Sequence, residues 1–507
     1  MFDLSQVPTW LALAATCVLL YVYLMSSTHN TFRKLGIPGP RPLPVLGNTL
    51  YTFRHGLFDT VIRGYRHFKK QKCYGVFEGR TPILTVTDLD MLQEIMVKKS
   101  GHFINRRQYA SLNQPRVDSI MFNATGEQWK QYRSLLKPAL NPARLKAVCP
   151  STLHLLENVC SVFKEKSCNG EDVELSEVLG CFCMDLIAQL GFDLECDSLR
   201  NPNHEFVQKA RHILNEFGPR TFIFEFFAPS ILKRVLDFFG ILILPKKDIL
   251  FLRDFTRRVL ELRKSRKNNP ADFLQYMIDN SELSDTAKSS RKFTIEEMYG
   301  SSLTLILAGY DTSAKGFYHA LYLLAMNPKC FAHAQKEVDE VLQGEAPNTS
   351  NIQGLHYLDM CIKESNRLYP LGYFVERRCN KETTIHGLRI PAGMVIRIPT
   401  AGIHRDPEIY PDPDTYEPER FTPGQTGARH PMAYIPFGAG PRSCFGEPLA
   451  LMVIRMGMAK ILQEFNIRSC DKSVYPIRLK PMDDIIADHG FWVNVTPRKL
   501  DNHKSCN

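Results

Sequence analysis

FGAGPRSCFG, residues Phe437 to Gly446, sets one cysteine in a glycine-rich turn. As a nucleotide-binding loop it fails, because Gly438-Ala-Gly440 lacks the third glycine of G-x-G-x-x-G and Ser443 stands there instead. As a loop around a cysteine ligand it is coherent. The glycines let the backbone turn tightly about Cys444 and aim N–H groups at its sulfur. Leu449, Met452, Val453 and Met456 then follow a helical period, so Cys444 stands just before a helix start. The helix dipole and the loop N–H groups are expected to favour thiolate over thiol. A zinc site would need three or four protein ligands, whereas a single thiolate suits one axial position on a haem iron. A lone cysteine is elsewhere most often a buried structural thiol, so the rest of the chain has to decide between the two.

The ten residues resemble the haem-ligand signature of the cytochrome P-450 family, F-x-x-G-x-R-x-C-x-G. Five fixed identities would arise by chance on the order of 10⁻⁴ times in a chain of this length, taking about 1/20 per residue. Further landmarks follow in order. Ala308-Gly309-Tyr310-Asp311-Thr312 lies inside an apolar helical run, Ile295 to Met326, and Ala308 and Thr312 share a face at i, i+4. By residue type alone this segment equally suits close helix packing and a threonine bonded to its own backbone. In the family it resembles the oxygen-activating part of the central helix. The resemblance implies that Ala308 leaves room for dioxygen, Thr312 holds a water or donates a proton, and Asp311 supplies protons.

Glu364-Ser-Asn-Arg367 is, in isolation, the pattern of a surface ion pair worth a few tenths of a kcal/mol. Placed before Leu-Tyr-Pro370, with Pro418-Glu-Arg420-Phe downstream, it resembles the family's buried Glu-Arg-Arg motif, which supports the core. By the same resemblance the haem propionates are met by Arg106 in FINRR, Trp129 and Arg133 in WKQYR, Arg377 and Arg442, with Phe437 and Gly438 of the loop also against the cofactor. Ala308, Tyr373, Phe374, Ile485 and Ile486 are the candidate substrate-lining residues. KLGIPGPRPLPVLGN, FINRR, AGYDTS, AGIHRDP and YIPFGAGPRSCFG are similar to the microsomal 3A type within the family.

The resemblance implies a mainly α fold with a minor β portion (α+β): one large haem domain behind an N-terminal transmembrane helix. Residues 1–28 are expected to form the anchor, 29–50 a proline-rich hinge and 51–507 the haem domain. Helical patterns run over Glu127–Leu136, Leu153–Lys166, Val173–Leu190, Ile249–Lys267, Ile295–Met326, Cys330–Leu342 and Tyr357–Leu368. Ile83–Thr87 and Met394–Ile398 have the pattern of strands. The implied cofactor is haem b (iron protoporphyrin IX), with Cys444 as axial ligand. Its implied electrons come from NADPH through a flavoprotein, NADPH–cytochrome P-450 reductase, with cytochrome b5 as a second candidate partner. The implied reaction inserts one atom of O₂ into a lipophilic steroid, lipid or xenobiotic. The thiolate pushes electron density onto iron, which favours O–O cleavage.

Composition agrees with a folded body. The chain has 507 residues, 44% hydrophobic and 23% charged, with net charge +10. These values exclude a disordered or collagen-like chain, and a mean hydropathy of -0.20 excludes a polytopic membrane protein. The 14 cysteines are scattered without a C-x-x-C pair, as suits reduced thiols. Trp10 to Met25, WLALAATCVLLYVYLM, carries no charge and with the residues back to Val7 is long enough to span a bilayer. A cleaved signal peptide would want a basic residue before the run. Here Asp3 precedes it, and Arg33 and Lys34 follow, so a retained anchor with a cytosolic body on the endoplasmic reticulum (microsomal) membrane is expected. GIPGPRPLPVLGN, Gly36 to Asn48, suits a stiff spacer.

Phe217–Pro245, with Phe217, Phe222, Phe224, Phe226, Phe227, Phe238 and Phe239, reads either as buried aromatic core or as an apolar lid resting on the bilayer. The basic run Arg257–Lys267 and the group Lys130, Arg133 and Lys137 suit acidic lipid headgroups or an acidic electron-transfer protein. No nucleic-acid reader module is recognisable. Two departures stand out. Glu447-Pro448 occupies a place where relatives commonly carry a basic residue, which removes positive charge from the expected reductase face. Pro481-Met-Asp-Asp-Ile-Ile486 carries two acids where relatives are mostly apolar. Two other functions compete on the same residues. One is a reductase-independent peroxide isomerase or dehydratase, which Thr312 argues against, and the other is a haem sensor without turnover.

Overall fold

Among the described residues two helices are long and apolar enough to cross a membrane, and burial tells them apart. In the computed structural model 6% of the apolar window in Thr9–Ser26 is buried, against 78% in Leu175–Phe192. The first leaves Trp10, Leu19 and Tyr23 exposed. The second is apolar all round because it runs through the core. The structure describes residues 8–108, 121–216, 235, 245–265, 270, 272–282, 292–481 and 485–498. The aromatic segment Phe217–Pro245 and the acids Asp483 and Asp484 therefore lie almost wholly outside the described residues.

The central helix runs from Ile295 to Ala325 over 31 residues. Its start is fixed by a reciprocal cap. The Thr294 hydroxyl accepts from the Glu297 N–H at 3.2 Å, and the Glu297 carboxylate accepts from the Thr294 N–H at 3.1 Å. Every residue from Ala314 to Ala325 is buried, which makes this helix the spine of the core. It packs against Leu175–Phe192 on one side and against Glu447–Glu464 on another. Gly457 admits the Phe317 ring, since a Cβ there would sit 2.2 Å from it.

Expected helices are present with shifted ends. Leu153–Lys166 lies within a longer helix, Pro142–Cys168, capped by the Asn141 side chain. The others are Gly126–Leu136, Lys246–Ser265, Pro328–Leu342 and His356–Leu368. One boundary differs in kind: Val173–Glu174 is a strand, paired with Trp492–Pro497, and the helix begins only at Leu175. The Glu174 side chain caps that helix, so its backbone is extended and free to join a ladder.

The β portion is small. Cys73–Glu78, Thr81–Val86, Val395–Ile398 and Val375–Arg378 form a four-stranded sheet in that order. Val395–Ile398 lies parallel to Thr81–Val86, with Ile83 opposite Val395, and antiparallel to Val375–Arg378. The proline-rich segment lies on this sheet and is more than a free spacer. Gly75 donates its N–H to the Pro38 carbonyl at 2.8 Å, and a Cβ on Gly39 would sit 2.1 Å from the Gly75 oxygen. Only glycine permits that backbone-to-backbone approach.

Glu364 and Arg367 are 0% exposed and share a two-pronged bond, Nε to Oε2 at 2.7 Å and Nη2 to Oε1 at 2.8 Å. The remaining guanidinium N–H groups go to the carbonyls of His404, Pro413 and Thr415. Arg420 stands 3.5 Å from the same carboxylate, which also accepts the Glu417 N–H at 2.8 Å. The surface-pair alternative for this motif is thereby replaced by a buried network. Removing one member strands the other's charge. Arg367→Ala should lower unfolding free energy by about 3–5 kcal/mol, read from denaturant midpoints.

Two buried histidines give a pH test. His404 accepts the Ile435 N–H on Nε2 at 3.0 Å, and burial together with the Arg367 charge pushes its pKa down to about 3. Burial pushes His319 down to about 4. Both lie below the ordinary 6.5, so the unfolded chain binds protons that the folded chain refuses. Stability from these groups is complete above that pH and falls as pH drops toward the folded values, by about 1.4 kcal/mol per pH unit for each histidine. His404→Gln should remove about half of this slope in unfolding curves taken across that window.

Candidate active site

The Cys444 loop closes on itself. The Cys444 N–H donates to the Phe437 carbonyl at 2.8 Å and the Ser443 N–H to the Gly440 carbonyl at 3.0 Å. Gly440 has φ +70°, and a Cβ there would sit 1.9 Å from the Met96 oxygen, so the loop presses directly on neighbouring backbone. Gly446 then caps the helix Glu447–Glu464. Phe445 packs against the apolar cluster that contains Trp129, Leu303 and Ile306, which anchors the loop to the body.

Cys444 is exposed to solvent-sized contact although protein surrounds it, and burial raises its thiol above the ordinary value. Both facts hold for a sulfur facing an internal cleft. The N–H groups of Gly446 and Glu447 pull the other way, as expected from the helix start, but they do not prevail, and the Glu447 charge adds to the rise. The expected thiolate preference is thus not a property of the loop alone; a bound metal cation would supply the missing charge.

Four arginines converge beside this loop. The Asn105 carbonyl accepts the Arg378 N–H at 2.7 Å and its side chain accepts the Gly126 N–H at 2.8 Å. This joins FINRR, the strand Val375–Arg378 and the helix Gly126–Leu136. Arg133 donates to the Ser443 carbonyl at 2.7 Å, and Arg442 donates to the Ile104 carbonyl at 2.9 Å and to that of Ala124. Trp129 lies under the Arg442 guanidinium at 4.4 Å, one helical turn before Arg133. Arg106 stacks on Phe122 at 4.4 Å. Among the described residues no carboxylate forms an ion pair with Arg133, Arg377 or Arg442. Buried Nη2 of Arg377 has no partner among them. Burial and the charge of Arg106 push Arg377 down to about 9; burial, Arg106, Arg377 and Arg133 push Arg442 down to about 8. Like charges held together out of water need an anion. A cofactor bearing two carboxylates beside a cysteine ligand fits this need, and haem is such a cofactor.

On the central helix Ala308 and Thr312 are exposed, although residues 300–303 and 314–325 of the same helix are buried. That face is therefore left open on a helix that is otherwise mostly covered. The Thr312 hydroxyl donates to the Ala308 carbonyl, the local bond open to any helical threonine. Asp311 is held by Lys315, Nζ to Oδ2 at 2.6 Å, and Lys315 is buried.

The chain matches the family model "Cytochrome P-450" over residues 37–488. It is 34% identical to cytochrome P-450 3A41 of Mus musculus over 508 residues, 99% of each chain. It is also 34% identical to cytochrome P-450 3A2 of Rattus norvegicus over 502 residues, 97% of each. Cytochrome P-450 3A7 of Homo sapiens is 35% identical over 480 residues, 94% of this chain and 93% of that one.

The chain belongs to the cytochrome P-450 family.

It is a cytochrome P-450 monooxygenase with haem b as its cofactor, and the family takes its electrons from NADPH by way of a reductase. Within this P-450 the expected substrate-lining residues divide. Phe374 is half-buried beneath the Arg397 guanidinium at 4.2 Å, and Ile486 is half-buried. Tyr373 and Ile485 are buried in the main core, where they are packing residues first.

Arg397 was not singled out from sequence. It bonds Glu78 at 2.5 Å and Glu376 at 2.6 Å, with Arg107 on the far side of Glu78 at 2.5 Å, and this quartet sets the position of Phe374. Tertiary pairing alone brings these four together. Lys315 was missed too, although its spacing from Asp311 was a legible signal. The basic stretches are partly neutralised: Lys130 pairs with Glu127, Arg257 with Glu261 and Arg263 with Asp272. Glu447 occupies the first turn of the helix after Cys444, and burial raises its pKa.

The arginine cluster separates a cofactor cradle from a structural one. Arg377→Met should leave the haem-free chain as stable as before, or more so, because it removes repulsion. Haem transfer to an acceptor globin should speed up by about 10- to 100-fold, the loss of one charged hydrogen bond.

Proposed function

We propose that this P-450 is anchored in the endoplasmic reticulum membrane by Thr9–Ser26, with its body in the cytosol, and oxygenates lipophilic steroids, lipids or xenobiotics with electrons from NADPH–cytochrome P-450 reductase. Cytochrome b5 is a second candidate partner. What supports the reading is the convergence of the Cys444 loop and the four-arginine cluster, together with the exposed positions Ala308 and Thr312 on the central helix. Cys444 would hold the iron, while Arg106, Trp129, Arg133, Arg377 and Arg442 would hold the propionates, with Phe437 and Gly438 shaping the loop. When bound, haem b supplies the reductive activation of dioxygen that lets one oxygen atom enter a C–H bond.

The protein's own contribution is positioning and proton supply. Ala308 keeps the cleft open where a larger side chain would fill it. The Thr312 hydroxyl, satisfied at rest by the Ala308 carbonyl, can swing to hold a water or donate a proton. Asp311 is kept turned along the helix by Lys315, so a proton delivered through Asp311 requires its carboxylate to leave that ammonium. Phe374 and Ile486 offer apolar surface to a lipophilic substrate. Glu447 removes positive charge at the start of the Cys444 helix, which should weaken an acidic partner's hold.

Cys444→Ala should abolish the long-wavelength absorption band that reduced haem-thiolate gives with carbon monoxide; retention of that band would sink the ligand assignment. Asp311→Asn should lower kcat by about 10²-fold with substrate binding spectra unchanged. Lys315→Met should change kcat in the same selective way and Lys315→Arg should restore it, whereas a structural role would move folding and substrate binding as well. Orientation has its own test. Of the sequons at Asn123, Asn348 and Asn494, only Asn348 is exposed, and its glycosylation in cells would place the body in the lumen.

A further inference from the structure

A cleft of about 960 Å³ lies away from the Cys444 loop, between the proline-rich segment, the helices Thr49–His55 and Leu57–Phe68, and the strand Cys73–Glu78. Its volume is at the upper end of the roughly 300–1,000 Å³ usual for small-molecule sites. Val61, Phe68 and Val76 supply apolar wall. Arg41, Arg54 and Arg63 also line it; all three are exposed, and among the described residues none of them has an ion-pair partner. The one acid in the lining is Glu78, which is already bonded to Arg107 and Arg397 at 2.5 Å each. Cation without counter-charge, above apolar wall, is the pattern that recognises an anionic amphiphile.

The cleft adjoins the end of the apolar N-terminal helix. The Val45 N–H donates to the Ser26 hydroxyl at 3.1 Å, His29 Nε2 lies 3.0 Å from the Gly79 carbonyl, and Met25 is buried. Leu43, Leu50 and Tyr51, which line the same cleft, are exposed beside it. Helix and cleft are therefore fixed to one another at the strand turn, and a lipid surrounding that helix would be within reach of the three arginines.

We infer that this cleft binds one anionic phospholipid, its phosphate among Arg41, Arg54 and Arg63 and its acyl chains against Val61, Phe68 and Val76. The source of the lipid rests on the membrane attachment proposed above. The binding chemistry does not, and neither depends on haem.

The test uses the full-length haem-loaded protein and short-chain lipids kept below their micelle concentration, so that no bilayer is needed. By calorimetry, dihexanoyl phosphatidic acid should bind at least about 10-fold more tightly than dihexanoyl phosphatidylcholine. The triple variant R41Q/R54Q/R63Q, altered only at exposed positions, should lose that preference, at about 5-fold per arginine. K329Q/K336Q, with charges removed at exposed positions elsewhere, should bind as the unaltered protein does. A diazirine on the acyl chain should label peptides from residues 36–78.

Equal binding of the two lipids, or an unchanged triple variant, would overturn the proposal. Competition by inorganic phosphate at the same affinity as the lipid would reduce the cleft to a plain anion site and overturn it as well. Binding to phosphatidic-acid vesicles without binding of the soluble lipid would assign the effect to the membrane surface, supporting the anchor while rejecting the cleft.

Discussion

An ionised pair with no exposure at all, Glu364 and Arg367, is the interaction on which the haem-side half of the molecule depends. Neither charge can stay out of water unless every donor and acceptor around it is satisfied. The guanidinium meets that demand by taking carbonyls from His404, Pro413 and Thr415, and the carboxylate takes the Glu417 N–H. One side-chain pair on the helix His356–Leu368 thus holds down a long stretch of chain with little regular structure. That stretch leads, through Tyr410 and His404, to the segment before the Cys444 loop: Tyr410 donates to the Ala433 carbonyl at 3.1 Å, and His404 accepts the Ile435 N–H at 3.0 Å. A buried ion pair is weak evidence for net stability, but it specifies geometry, because few other arrangements leave nothing unpaired.

The second constraint has the opposite sign. Arg106, Arg133, Arg377 and Arg442 are brought together by backbone acceptors and stacked rings, while their charges repel. The body spends stability on this cluster, and the deficit is concentrated where a dianionic cofactor would relieve it. The same logic applies to Cys444. Its loop N–H groups are aimed at the sulfur, yet burial raises the thiol, and a bound cation would favour the thiolate. In the proposed reading the cradle and the ligand loop are both completed by the cofactor, which would couple its retention to the shape of the site.

The polar features of the central helix are more particular to this chain. A helix that is otherwise core carries Asp311, Lys315 and His319 at successive i, i+4 positions. His319 donates its Nδ1–H to the Lys315 carbonyl and is kept neutral by burial, while Lys315 is committed to Asp311. Such a stripe ties the position of the acid beside the open face to a partner one turn deeper. Phe374 is controlled in a similar way from behind, by an arginine that itself answers to two glutamates.

Much of this was legible in the chain itself, for a local reason. The Cys444 loop, the Glu364–Arg367 pair, the Ala308–Thr312 face and the apolar N-terminal run are each set by residues a few positions apart, where spacing translates directly into geometry. The helices were legible to within a few residues, because a long apolar period tolerates errors at its ends. Composition alone could not tell Thr9–Ser26 from Leu175–Phe192, since both are apolar and only neighbours decide which is covered. Nor could it show that Val173 would leave the helix for a strand with Val493, a partner more than three hundred residues away. The quartet of Glu78, Arg107, Glu376 and Arg397, the stacking of Arg442 on Trp129, the packing of Tyr373 and Ile485 into the core, and the cleft with its three uncompensated arginines arise only when distant segments meet. Charge balance and burial are properties of such meetings. The sequence therefore determined which chemistry this protein carries, and the tertiary structure decided which of its charges are answered and which are left open.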